Sequence, residues 1–213
     1  MNLRMKKYMD QVSTWPNEGK HILGQYNDDY IVVYQAYRQS IGEFAATNQF
    51  FGGDFSYNRM TWIKPNFLWM MYRSGWGTKP GQEITLAIKL KKDVFDDYLA
   101  SAVASSYAQT SIDNHEAWKQ AVGDSDVRLQ WDPDHHPTGA KEVRKAIQLG
   151  VRGSKLEPFK GGGIVEIEDI SDFVNQQREL LNNNQMSELM VPEESVYVPS
   201  KPELIKNIKL DVI

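Results

Sequence analysis

The sequence contains no cysteine, which excludes disulfides, thiol catalysis and thiolate metal sites. It also lacks any apolar run of about 18 residues, the length a transmembrane helix needs. No membrane association is therefore expected, and the cytoplasm is the expected location. The opening MNLRMKKYMD has no apolar centre and no small-residue cleavage site, so a secretory signal is not expected. Familiar catalytic signatures are missing as well: there is no GxxxxGK[ST], no GxGxxG, no GxSxG and no HExxH.

One further absence is local. RMTWIKPNFLWMMYRSGWG, positions 59–77, has no acidic residue. It holds three tryptophans, three methionines, Phe67 and Tyr72, together with Arg59, Lys64 and Arg73. A core helix does not ordinarily carry so many cations, nor a basic surface so many aromatics. The net charge of −4 conceals a gradient. Residues 59–92 carry seven Lys/Arg and one Glu, residues 141–160 six against two, and residues 161–200 one against eight acids. A basic centre with an acidic C-terminal third points to an anionic ligand held by local charge, not to a chain drawn globally to nucleic acid.

Length and pattern predict one domain over 1–184 and an extended arm over 185–213, packed on the domain or on a second copy of the chain. YIVVYQAYR (30–38) reads as a strand. A helix should follow over 39–53, with Ser40 as N-cap, Glu43 three residues on and Gly52-Gly53 as its end. RMTWI (59–63) reads as a strand, Pro65 as the first residue of a short helix, and EITLAIKLKK (83–92) as an amphipathic strand. Helices are predicted over 93–107, 114–123 and 171–184, the last capped by Ser171, and strands over 127–131 and 163–170. DPDHHPTG reads as a loop, and 140–151 is helix or strand. Strands mixed with helices without strict alternation indicate an α+β fold.

The candidate chemistry is sparse. Two of the four histidines adjoin in DPDHHP, but neighbouring side chains on an extended segment point opposite ways, so no metal is expected. Trp62, Trp69 and Trp76 recur every seven residues, yet Pro65 and Gly75 interrupt a continuous helix, and most of these aromatics read as core. Arg59 and Arg73 suit either phosphate binding or an internal ion pair. In VRLQWDPD, Arg128, Gln130 and Asp132 share one strand face while Val127, Leu129 and Trp131 share the other. In VEIEDI, Glu166 and Glu168 face together, away from Val165 and Ile167.

The segments IVVYQAY, RMTWIKPNFLWMMYRSGWGTK, VRLQWDPD, AIQLGVRG and IEDI resemble a bacterial and fungal family known as a domain of unknown function, number 4291. The resemblance runs from about residue 16 to about residue 175, and the tail beyond about 180 departs from it. It singles out Gln35, Arg59, Trp62, Lys64, Tyr72, Arg73, Lys79, Arg128, Gln130, Trp131, Asp132, Arg144, Gln148 and Glu168.

The order of elements is also similar to the ADP-ribosyltransferase superfamily, whose members bind NAD in the cleft of a split sheet. That resemblance implies a curved or split mixed sheet with helices outside, and an NAD-consuming transferase that acts on an unspecified acceptor, nucleic acid among the options. In this frame Gln35 pairs with the nicotinamide carboxamide. Arg59, Lys64 and Arg73 hold phosphates, with Lys79, Arg128, Gln130, Asp132, Arg144 and Gln148 as further binding residues. Trp62 or Tyr72 stacks, and Glu168 aids the departure of nicotinamide, with Glu166 as the neighbour it must be distinguished from. The alternative is a module that binds single-stranded nucleic acid or a nucleotide in the same basic, aromatic groove without chemistry. A structural domain with all its cations internally paired is the third reading.

Overall fold

The strand Tyr30–Tyr37 is buried along most of its length, and that fact organises the molecule. The computed structural model describes residues 3–211, so Val212 and Ile213 at the end of the arm lie outside the described residues. The strands are β1 (Met5–Lys7), β2 (Ile22–Gly24), β3 (Tyr30–Tyr37), β4 (Thr61–Ile63), β5 (Ile84–Lys91), β6 (Ala102–Ala104), β7 (Val127–His135), β8 (Lys141–Val151), β9 (Ile164–Asp169), β10 (Met190–Pro192) and β11 (Ser195–Tyr197). The α-helices are α1 (Tyr8–Val12), α2 (Gln39–Asn48), α3 (Phe67–Ser74), α4 (Lys92–Ser101), α5 (His115–Asp124), α6 (Ser171–Asn182) and α7 (Pro202–Ile208). This is an α+β domain with mixed sheets.

Two sheets carry the body. One is antiparallel in the order β3-β5-β9, and the other runs β4-β8-β7-β6 with a parallel β7–β6 pair. Among the described residues their main chains join at one bridge, where Tyr34 N–H donates to Lys64 C=O at 2.7 Å and Lys64 N–H donates to Tyr34 C=O at 3.3 Å. Side chains alternate along a strand. Ile31 and Val33 of β3 therefore enter a core shared with Leu86, Ile88, Leu149 and Phe95, while Val32 and Tyr34 enter a second core with Phe67, Met71 and Val174. Burial on both faces explains why β3 reads as an almost unbroken apolar run.

Several boundaries differ from the sequence-based expectations for local reasons. Arg38, not Ser40, precedes α2, and the Ser40 hydroxyl donates to Asp54 at 2.9 Å. That helix ends at left-handed Gln49, ahead of the glycine pair. The α3 N-cap is Asn66, whose side chain accepts from Trp69 N–H at 2.6 Å, so Pro65 lies outside the helix. The helix expected over 93–107 stops at Ser101 because Ala102–Ala104 pairs in parallel with Val127–Leu129. DPDH is strand, not loop, since β7 continues through Pro133 against β8 with an irregularity between Pro133 and His135. Ile170, not Ser171, occupies the cap position of α6. Val165 is exposed, so only Ile167 opposes the two glutamates as an inward residue.

The arm packs on its own domain. β10 pairs with β1, β11 pairs with β2, and Tyr197 and Leu204 are buried.

Candidate functional site

Where the two sheets meet, a cleft of about 440 Å³ opens beside the Tyr34–Lys64 bridge. Gln35 and Tyr37 reach it from β3, Thr61 and Trp62 from β4, Lys64 from just beyond β4, and Arg73 from α3. Gln130 and Gln148 complete the wall from β7 and β8. Their Cα atoms are register partners, so the two carboxamides stand side by side on one face of the sheet.

The polar groups are tied together. Gln35 Nε2 donates to Thr61 Oγ1 at 2.7 Å and to Trp62 C=O at 3.3 Å, and the Tyr37 hydroxyl lies 2.6 Å from the same Thr61 oxygen. These bonds fix the Gln35 amide, yet its Oε1 is buried without a partner among the described residues. Gln148 Nε2 donates to Gln130 Oε1 at 2.7 Å and to Asp132 Oδ2 at 2.8 Å. Burial pushes the Tyr37 phenol well above its ordinary range, so it remains a hydrogen-bonding hydroxyl.

Lys64 is the unusual member. Its residue is 4% exposed, and among the described residues its ammonium makes no ion pair. Burial, with the Arg73 charge second, lowers it from 10.5 to about 7, against the opposing pull of Asp132. A lysine desolvated beside another cation is divided between charged and neutral forms near neutral pH.

The expected site residues divide. Gln35, Trp62, Lys64, Arg73, Gln130 and Gln148 line the cleft, and Asp132 stands behind Gln148. Arg128 shares the Gln130 face of β7, opposite Gly150 and then Trp62, and its Nε is buried without a partner among the described residues. Arg59 lines an adjoining hollow of about 380 Å³, which shares Tyr37, Met60 and Thr61 with the cleft. Tyr72 instead stacks on His135 with ring centroids 3.5 Å apart. Lys79 Nζ donates to the carbonyl of Arg73 at 2.6 Å, closing the end of α3. Arg144 is buried against Asp134 at 2.6 Å.

Glu168 does not enter the cleft. It is registered opposite Ala87, which is opposite Tyr34, whereas Gln35 is opposite Leu86. Glu168 thus belongs to the other face of the β3-β5-β9 sheet, two strands and roughly 10 Å from β3. Glu166 shares that face and is bonded to Lys89 at 2.8 Å, which holds its carboxyl below the usual range. Tyr37 and Thr61 were not anticipated in the site. The signal was present for Tyr37, which lies two residues beyond Gln35 in a strand and so faces the same way.

Residues 21–197 match the family model described as Domain of unknown function (DUF4291), a span from β2 through β11. The match extends past the expected limit near 175 to include β10 and β11, whose partners β1 and β2 need them. No curated protein matches the chain.

Proposed function

This chain belongs to the DUF4291 family, and we propose that its cleft binds NAD and transfers ADP-ribose from it to an acceptor. The observation that carries the reading is the buried Oε1 of Gln35, without a hydrogen-bond partner among the described residues, in the wall of a cleft that Lys64 and Arg73 also line. A nicotinamide carboxamide supplies an N–H for that oxygen, and a pyrophosphate supplies an anion for the two cations, which make no ion pair among the described residues. A buried acceptor left unsatisfied costs about 1–3 kcal/mol, which a donating ligand removes. Trp62 offers an aromatic wall for the nicotinamide ring. Asp132 is the carboxylate whose charge reaches Lys64, and in this reading it, not Glu168, stabilises the positive charge that develops on the ribose as nicotinamide departs. The test is thermal shift with NAD, followed by nicotinamide release from labelled NAD in the presence of mixed RNA, DNA and protein. Saturating NAD at 100 times its dissociation constant adds about 2.7 kcal/mol of stability. Absence of both stabilisation and nicotinamide release rejects the reading.

A second reading is favoured by the continuation of the cleft into the Arg59 hollow. A groove of that length suits a single strand of nucleic acid bound without chemistry, with bases stacked on aromatics and phosphates held by cations. Binding of this kind weakens linearly on a log–log plot as salt rises. Tight binding of a short oligonucleotide without NAD turnover favours it over the transferase.

A further inference from the structure

Lys64 combines three properties. Its side chain is buried in the wall of an open cleft, no carboxylate neutralises it among the described residues, and a second cation, Arg73, lines the same cleft. Charge alone is enough for Lys64 and Arg73 to hold a phosphate, and the near-complete burial of Lys64 gives it a second capacity. Burial favours the neutral amine, which is a nucleophile.

We infer that Lys64 is a covalent nucleophile that forms an imine with the open-chain aldehyde of a phosphorylated sugar whose phosphate Arg73 holds. The Nζ lone pair attacks the aldehyde carbon. As the C–N bond forms, the carbonyl π pair moves to oxygen, which gains the proton that nitrogen loses. The carbinolamine then expels its hydroxyl, which leaves as water with the remaining proton of nitrogen as the nitrogen lone pair closes the C=N bond, so amine and aldehyde become imine and water; the imine nitrogen takes up one proton from solvent to give the protonated form. The charged groups acting on Lys64 are Arg73 from α3 and Asp132 from β7. Arg73 disfavours the ammonium before attack, and Asp132 favours the protonated imine afterwards. With the ammonium lowered to about 7, far more of the lysine is neutral and ready to attack at neutral pH than the well under 1% of an ordinary lysine. Free ADP-ribose carries such an aldehyde at the carbon that held nicotinamide, so the same residue would capture the hydrolysed donor. The inference rests on the same cleft as the NAD reading but not on NAD cleavage, because ribose 5-phosphate has no nicotinamide.

The experiment is reductive trapping of the intact protein with ribose 5-phosphate and cyanoborohydride, mapped by peptide mass spectrometry. Lys64 is expected to be modified at least tenfold faster than exposed Lys119 and Lys160, the reverse of what accessibility alone gives. Its rate should rise with pH and level off above about 7, while the exposed lysines keep rising. Arg73→Gln, which keeps Lys64, should slow trapping of ribose 5-phosphate about tenfold more than trapping of unphosphorylated ribose, which slows only because the neighbouring cation no longer opposes the Lys64 ammonium. Modification that follows exposure and spares Lys64 overturns the inference, and so does an Arg73→Gln protein that reacts like the wild type. Trapping without NAD turnover leaves the nucleophile and removes the transferase. Turnover without trapping does the opposite.

Discussion

Gln35 and Glu168 lie on opposite faces of one antiparallel sheet. Gln35 is registered with Leu86 and Glu168 with Ala87, one residue apart on β5. A single residue of parity separates a side chain in the cleft from one outside it.

Glu168→Gln is therefore expected to leave NAD affinity and turnover within about twofold of wild type, since no interaction with ligand is removed. Asp132→Asn keeps the bond from Gln148 but removes the charge, and is expected to lower turnover about a hundredfold with little change in affinity. Parallel measurement of nicotinamide release and of NAD binding by calorimetry checks both. Loss of turnover in the Glu168 variant alone would overturn the assignment of the acid.

Lys64 links ligand binding to pH. A bound pyrophosphate favours the ammonium, so its complex holds a proton that the free protein loses above about 7. NAD affinity should be level below pH 7 and then fall with rising pH, by up to about tenfold per unit. In Lys64→Met that slope should vanish. The same substitution should stabilise the unliganded fold. A lysine whose folded value is lowered from 10.5 to about 7 destabilises the native state fully below pH 7, and the penalty fades as pH rises toward 10.5. The gain for the Met variant is at most about 4 kcal/mol at pH 7 and smaller at pH 9, as measured by urea unfolding.

Gly150 keeps the Trp62 wall in place. A Cβ there would lie 2.7 Å from Met60 Sδ and 2.9 Å from Trp62 Cζ2. Gly150→Ala is expected to displace the indole, change tryptophan fluorescence and weaken NAD binding about tenfold, with unfolding still cooperative. Unaltered binding would show that the Trp62 wall does not contact the ligand.

The Arg144–Asp134 pair should act on stability alone. Asp134→Asn leaves a guanidinium buried without its counter-charge and should cost about 3–5 kcal/mol in urea unfolding. The surviving folded protein should bind NAD normally, since neither residue lines the cleft. A selective loss of affinity would return Arg144 to the site.

Much of the cleft was legible because strand periodicity is local. Gln130 and Asp132 share a face of β7 by simple alternation, and the acid-free run of 59–73 marked Lys64 and Arg73, which line one cleft. Glu168 was not legible, because its face depends on how β9 registers with a strand more than seventy residues earlier. Tyr72 was misleading for a different reason. A helix turns about 100° per residue, so Met70 and Arg73 face the cleft together while Tyr72 turns toward His135. Lys79 and Arg144 look like ligand cations in sequence, but a helix end and a buried carboxylate hold them. The arm was legible only as apolar enough to dock. Its strands are three residues long and take their identity from β1 and β2.

The bridge between Tyr34 and Lys64 joins the main chains of the two sheets. Close by, Gln35 and Tyr37 of one sheet also hold Thr61 of the other, so main chain and side chains tie the sheets together at the edge of the cleft. The backbone that carries Lys64 is thus anchored by a strand buried along most of its length, and a change along β3 reaches the cleft through Tyr34.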